Sequence, residues 1–427
     1  MPEKTEPEDD KARVLTAERH QVELWEFHLD SAVAADHRVR GVWSYVEALD
    51  LSPLYARIGS VEGGAGRPAI DPRILIALWL YATVEGVGSA RALDRLTREH
   101  VTYQWICGGV GVNYHTLSDF RVDNGEVLDR LLTQSVAVLM REKVVELSRV
   151  AQDGMKVRAS AGAASFRKKP TLKACLKEAR EQVTTLKKEL DEDPAGTSRR
   201  QQAARERAAR ERQERVQRAL KRAEELIERE KKPKDKKKVR ASTTDPDARV
   251  MKMADGGFRP AYNVQLSTDT EAQVVVGVEV TDSGNDQGEL PPMVEQLEKR
   301  YGEVPAETLV DGGYVNRADI EALAGRTTVY APVSKPKDPT VDPYRPNKMD
   351  SPEVARWRRR MGTARAKTIY KERAATAECV NAQARNRGLA RFLVRGLRKA
   401  RAVVLWYALA HNLSRMLSFG LLETAPA

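Results

Sequence analysis

The run Thr308-Leu309-Val310-Asp311-Gly312-Gly313-Tyr314 sets three apolar or β-favouring residues before an acid, two glycines and an aromatic ring. Such a run predicts a buried strand that delivers a carboxylate to a turn too tight for side chains. An acid at the end of a central strand suits metal-dependent chemistry. Val150-Ala151-Gln152-Asp153-Gly154 has the same grammar, so Asp153 is expected at a second strand end. A third carboxylate, Glu378, falls on a helix downstream.

Working outward, strand patterns occupy roughly 145–160, 259–282, 306–311 and 327–333, with helical patterns between and after them. That alternation predicts an α/β fold, a mixed sheet covered by helices. Residues 334–353 read as a loop, Arg356 to Arg385 as one helix and Arg398 to Met416 as another. Ahead of the sheet, residues 16–142 read as an all-helical, DNA-binding domain. Asp71-Pro72 supplies an N-cap and a first-turn proline, and Ser89 caps the helix after Gly86-Val87-Gly88. Compact units of short helices often hold helix-turn-helix DNA readers. Residues 1–15 are polar and acidic, and a disordered tail is expected there.

Residues 166–240 interrupt the sheet pattern. Leu172, Leu176, Ala179, Val183, Leu186 and Leu190 alternate at spacings of four and three, a coiled-coil stripe. Asp193-Pro194-Ala195-Gly196 breaks it, and Val216, Leu220, Ala223 and Ile227 resume it. The reading is an antiparallel helical hairpin with a flexible lysine-rich exit at Lys231–Arg240. The catalytic domain is then expected at 143–165 and 241–420, split by this insertion.

The formal charge of +11 is concentrated in that hairpin: Arg199 to Arg240 hold 18 Lys+Arg against 8 Asp+Glu. A basic block of this kind points to a polyanionic partner, most often nucleic acid, with Arg215, Arg218 and Arg222 as contacts. The start of the chain does not read as a signal peptide, and the longest apolar runs are too short to span a bilayer. Cys107, Cys175 and Cys379 are widely spaced and odd in number. A reducing cytoplasm, with neither a disulfide framework nor a zinc site, is expected.

Three acids without histidine or cysteine favour hard, oxygen-preferring ions such as Mg²⁺ or Mn²⁺. Two such ions about 3.5–4 Å apart can bind the attacking and leaving oxygens of an in-line phosphoryl displacement. Gly154 and Gly312-Gly313 would give a phosphate backbone clearance. On a regular helix Arg373 and Glu378, five apart, are about 140° apart and do not stack, whereas Glu378 and Arg385, seven apart, share a face. Arg385 could then grip a phosphate beside the metal carboxylate.

Taken together, Asp153-Gly154-Met155-Lys156-Val157, Tyr262-Asn263-Val264-Gln265, Asp311-Gly312-Gly313-Tyr314 and the helix of Tyr370, Arg373, Glu378 and Arg385 resemble the DDE transposases of bacterial insertion sequences. Gly66-Arg67-Pro68-Ala69-Ile70-Asp71-Pro72-Arg73, Ser89-Ala90-Arg91-Ala92-Leu93 and His115-Thr116-Leu117-Ser118-Asp119-Phe120-Arg121 are similar to the helical N-terminal domain of one subgroup. The resemblance runs over roughly residues 16–416. It implies an RNase H-like catalytic domain interrupted between its first strands, and two Mg²⁺ or Mn²⁺ ions held by Asp153, Asp311 and Glu378. Tyr370, Arg373 and Arg385 would position the DNA backbone, with Arg67 and Arg121 as further contacts. It also implies cleavage at element ends by water and attack of the freed 3′-hydroxyl on target double-stranded DNA, by a homodimer. Arg385 stands where relatives usually carry lysine. A DNA-binding repressor with a decayed core, or a nuclease without strand transfer, are the other readings of the same residues.

Overall fold

The computed structural model describes residues 28–60, 68–192, 199–230, 232–336 and 338–422. The expected tail at 1–15, Arg67 and the break at 193–196 lie outside the described residues.

Among the described residues seven helices come first: α1 (Arg38–Glu47), α2 (Ser52–Tyr55), α3 (Pro72–Val84), α4 (Ala90–Glu99), α5 (Val101–Cys107), α6 (Tyr114–Asp123) and α7 (Gly125–Arg141). Local chemistry sets their ends. Asp71 accepts from the Arg73 amide with Pro72 in the first turn, Ser89 accepts from Ala92, and Asn113 accepts from His115 and Thr116. The left-handed Gly108 stops α5. α3 is apolar on nearly every side and buried along most of its length, because helices close around it.

The sheet begins with β1 (Arg149–Arg158). After β2 (Phe166–Arg167) come α8 (Lys169–Glu192), α9 (Arg199–Arg229), α10 (Pro233–Lys236) and β3 (Ala241–Ser242), which pairs with β2 at the base of the excursion. β4 (Arg249–Lys252), β5 (Phe258–Asp269) and β6 (Val275–Thr281) follow, then α11 (Leu290–Tyr301), β7 (Glu307–Leu309), α12 (Arg317–Ala322) and β8 (Thr328–Tyr330). β5 runs antiparallel to β1, and its two halves pair with β4 and β6 on the other edge. β7 runs parallel to β1, and β8 parallel to β7.

α8 and α9 lie antiparallel, since Lys169 pairs with Glu224 while Arg212 bonds Gln182. Their seam buries Leu172, Leu176 and Ala179 against Val216, Ala219, Ala223 and Leu226, so Leu220 and Ile227 sit at its margin rather than in it. The exit is not a loose tether: α10 forms a helical turn there, and Asp235 holds Lys238 at 3.0 Å.

The C-terminal helices are α13 (Pro352–Gly362), α14 (Ala364–Arg373), a π turn (Ala374–Glu378), α15 (Cys379–Asn386) and α16 (Leu397–Ser418). The single helix expected from Arg356 to Arg385 is broken at Thr363, which turns extended and caps α14 through the Ala366 amide. α16 is buried around most of its circumference, and Trp406 packs 6.5 Å from Trp79 and 6.3 Å from Phe120. It also covers β6, where Asn412 donates to and accepts from the backbone of Val275. One hydrophobic core therefore joins the first helices, α16 and the sheet; a second lies between β7, β8 and α11 to α14. No helix among the described residues is long and apolar enough to cross a membrane.

Candidate active site

β1 and β7 lie side by side in parallel, with Ala151 beside Leu309, so Asp153 and Asp311 follow two residues on along neighbouring strands. Asp311 stands two residues past β7, and Leu309 and Val310 before it are fully buried. Its carboxylate accepts from the Gly313 amide at 2.7 Å, which fixes the turn. Asp153 is not at a strand end. It sits in the middle of β1, opposite Leu266 of β5, because pairing continues for five more residues to Arg158. Burial, reinforced by the charge of Asp311, raises the Asp153 pKa against the opposing pull of Arg373. The two acids are thus close enough to repel.

Asp153 is held from the helix side. Asn381 Nδ2 donates to Asp153 Oδ2 at 2.9 Å, and Arg373 Nη1 lies 3.9 Å from Asp153 Oδ1. Arg373 also donates to Glu378 Oε1 at 2.7 Å. This pairing contradicts the expectation that residues five apart cannot meet. The π turn between them, Ala374–Glu378, closes hydrogen bonds five residues apart and brings positions i and i+5 onto one side. The Tyr370 ring stacks within 5.8 Å of the Arg373 guanidinium.

Among the described residues no group of three or more acidic, histidine or cysteine side chains is gathered tightly enough to hold a metal. A guanidinium lies between the acids instead. It touches Asp153 and Glu378, and the side chain of Glu378 is 57% exposed. The donor set suits a hard cation: carboxylate oxygens, and a buried Asn381 carboxamide whose Oδ1 has no hydrogen-bond partner.

A second polar network adjoins Asp153. Asp286, in the loop before α11, accepts from Lys156 Nζ at 2.9 Å, Asn263 Nδ2 at 2.7 Å and Gln265 Nε2 at 2.8 Å. Gln265 accepts in turn from the Tyr314 hydroxyl and from Gln152. The turn after Asp311 is thereby tied through β5 to Asp286 and Lys156. Gly154 is required by packing inside the protein. A Cβ there would press into the Asp286 carboxylate and stand 2.6 Å from Gln265 Nε2. Gly312, by contrast, has open space around it, and the tight position of its turn is Gly313, where a Cβ would stand 3.0 Å from Asp311 Oδ1.

Asp286, Asn381 and Lys156 were not assigned from sequence. Asp286 lies in a loop without strand or helix pattern. Asn263, Gln265 and Ser267 did carry a signal: polar residues alternate with Tyr262, Val264 and Leu266 on a strand with no exposed side. Such a face needs polar partners.

The expected DNA-contact arginines divide. Arg385 and Arg218 are exposed, and Arg215 is half-buried with a 3.6 Å partner in Glu211. Arg222 is a strut instead: it bonds Asp282 just past β6 as well as Glu225, fastening α9 to the sheet. Arg121 is a correction. It is 7% exposed, donates to the Gly88 carbonyl at 2.5 Å and lies 4.6 Å from the Trp79 ring centroid. Burial lowers its pKa to about 10. A side chain sealed between α3 and the Gly88 turn cannot reach a phosphate.

Two family models match the chain. One, described as a transposase domain (DUF772), matches residues 27–123; the other, described as a transposase DDE domain, matches residues 344–417. The second range holds Tyr370, Arg373, Glu378 and Arg385, but neither strand that carries Asp153 and Asp311. No curated protein and no solved structure matches.

Proposed function

We propose that this chain, a member of the insertion-sequence DDE transposases, cuts DNA at the ends of its element and joins the freed 3′-hydroxyl to target DNA. The observation that carries the reading is the convergence of Asp153 on β1 and Asp311 past β7, with Arg373 linking Asp153 to Glu378. The strand order β6-β5-β1-β7-β8, antiparallel for the first two pairs and parallel for the last two, supports an RNase H-like core. The helical hairpin enters it between β1 and β5.

Asp153, Asp311 and Glu378 would hold two Mg²⁺ or Mn²⁺ ions. Bound there, the ions would stabilise charge on the attacking and leaving oxygens of the phosphodiester. The protein's own groups do the rest. Asn381 fixes one Asp153 oxygen, so the other stays directed toward Arg373. Burial and the charge of Asp311 disfavour the ionised form of Asp153, so a counter-charge is needed to hold it as the anion. Arg373 supplies that charge in part, and Tyr370 holds the guanidinium where it can turn to a DNA phosphate. Arg385, which shares a cavity wall with Gly154, and Arg218 on α9 are both exposed and would track the backbone. Two element ends must meet, so a homodimer on double-stranded DNA, working in the cytoplasm at the nucleoid, follows from the same reading.

The test is purified protein with Mg²⁺ and a duplex that carries the element's inverted ends. Joined products support the reading. Cut but unjoined products remove strand transfer from it, and a mobility shift without cutting removes catalysis.

A further inference from the structure

The hairpin of α8 and α9 stands on a narrow root. β2 pairs with β3 there, and Leu172, Ala219, Ala223 and Ala241 form a small core of their own. Arg222 reaches past this root. Its guanidinium pairs with Glu225 on its own helix and with Asp282 just past β6. The Arg222 and Asp282 side chains are 14% and 16% exposed, so their pair is shielded from the solvent that weakens surface ion pairs.

Asp282 is one end of a short loop, and Asp286 is the other. The chain between them is tied to itself and to the sheet. Ser283 Oγ donates to the Asn285 carbonyl at 2.7 Å, and that carbonyl also accepts from Asn263 Nδ2 of β5 at 3.3 Å. The Glu289 amide donates to the Asp286 carbonyl at 3.2 Å, and Thr281 Oγ1 donates to Glu289 Oε1 at 3.0 Å, closing the loop at its base. Such bonds leave the loop few ways to absorb a shift at one end before it reaches the other.

The far end of the loop touches the surroundings of both acids. Asp286 lies against Gly154, the residue after Asp153, where even a Cβ has no room. It also pairs with Lys156, two residues further along β1. Through Gln265 it reaches the hydroxyl of Tyr314, a buried residue three positions past Asp311. A shift of Asp286 is thus felt by the backbone beside Asp153 and by the turn that carries Asp311. Metal affinity depends on the partners that hold the ligands as well as on the ligands themselves.

We infer that Arg222 and Asp286 are positioning residues: the 282–286 loop transmits the seat of α9 on the sheet to Asp153 and Asp311, and so sets the spacing of these acids for divalent cations. The hairpin then has a part in the catalytic centre besides any contact with DNA. Arg218, exposed one turn before Arg222, puts a DNA contact of the proposed function on the same helix. The inference rests on the metal reading of the acids.

The experiment titrates the full chain with Mn²⁺, follows free Mn²⁺ by electron paramagnetic resonance, and takes the binding lost in Asp311→Asn as that of the acids. Asp286→Asn is expected to weaken it by about 10- to 100-fold. Arg222→Met is expected to weaken it by about 3- to 30-fold, with Arg222→Lys closer to the wild type and duplex affinity changed less than about twofold. In the Asp286→Asn background Arg222→Met should cost less than about twofold further, because the path is already cut. Asp282→Asn should reproduce Arg222→Met, and it serves if that variant does not fold. Folded Arg222→Met and Asp282→Asn proteins that bind Mn²⁺ as the wild type does, with only a lower melting temperature, overturn the inference and leave the metal reading standing. So does a loss from Arg222→Met that multiplies in full with that of Asp286→Asn. Wild-type Mn²⁺ binding that is indifferent to Asp311→Asn removes the metal reading and the inference together.

Discussion

Arg373 and Glu378, five residues apart, meet in a 2.7 Å ion pair because the turn between them is a π turn. The same guanidinium lies 3.9 Å from Asp153. One cation thus links the helix acid to the strand acid. Arg373→Gln should destabilise the metal-free protein by about 1–2 kcal/mol, since half-buried Asp153 loses its counter-charge. Millimolar Mg²⁺ should recover most of that loss. Urea unfolding with Mg²⁺ and with EDTA checks it; a loss that Mg²⁺ leaves untouched would show that Arg373 does not occupy a cation's place.

Gly154 and Gly312 look alike in sequence, each directly after an acid. Their surroundings differ. Gly154→Ala should cost about 1–3 kcal/mol, because its Cβ overpacks the Asp286 network. Gly312→Ala, in open space, should fall within about 0.5 kcal/mol of wild type. Equal costs from denaturation curves would contradict the description of that network.

Arg121 and Arg218 separate packing from DNA contact. Arg121→Ala should lower stability by about 2–4 kcal/mol, through the cavity and the lost bond to Gly88. It should leave the salt dependence of DNA binding unchanged. Arg218→Ala should leave stability unchanged and reduce the salt slope by about 0.9, the share of one phosphate contact. Melting curves and binding across a salt series test both.

His411 makes part of the stability pH-dependent. Burial between α16 and the β5–β6 turn depresses its pKa to about 4, and its ring is hydrogen-bonded to the Gln273 carbonyl. The folded pKa lies below the unfolded value of about 6.5. The unfolded chain therefore binds more protons in this interval, and stability falls as pH drops from about 6.5 to about 4. At about 1.4 kcal/mol per unit the full loss is about 3 kcal/mol. His411→Gln should flatten this limb in urea midpoints taken from pH 7 to pH 4.

Much of the fold was legible because its signals are local. Asp71-Pro72 and Ser89 cap where capping chemistry places them, and Thr308 to Val310 form a buried strand approach to Asp311. What was not legible depends on contacts distant in sequence. The strand pattern at 145–160 already ran past Asp153, but the partner that pairs along it, β5, lies more than a hundred residues later. The burial of Arg121 needs Trp79, and the polar face of β5 is answered by Asp286 from a loop with no pattern of its own. The π turn is hidden for another reason. Ala374-Ala375-Thr376-Ala377 is an ordinary helical composition, and only the paired Arg373 and Glu378 reveal the wider turn.

The central claim is that Asp311 and Asp153 form one catalytic centre. The most direct measurement compares wild type with Asp311→Asn on duplex carrying the element's ends, in Mg²⁺, scoring end binding and strand cleavage in one reaction. Asp311 is fixed by a single backbone bond to Gly313, which an asparagine oxygen can also accept, so the variant should fold and bind the ends. The account predicts binding within about threefold of wild type and cleavage reduced by at least about a thousandfold. Cleavage at the wild-type rate by a folded, DNA-bound Asp311→Asn protein would contradict it.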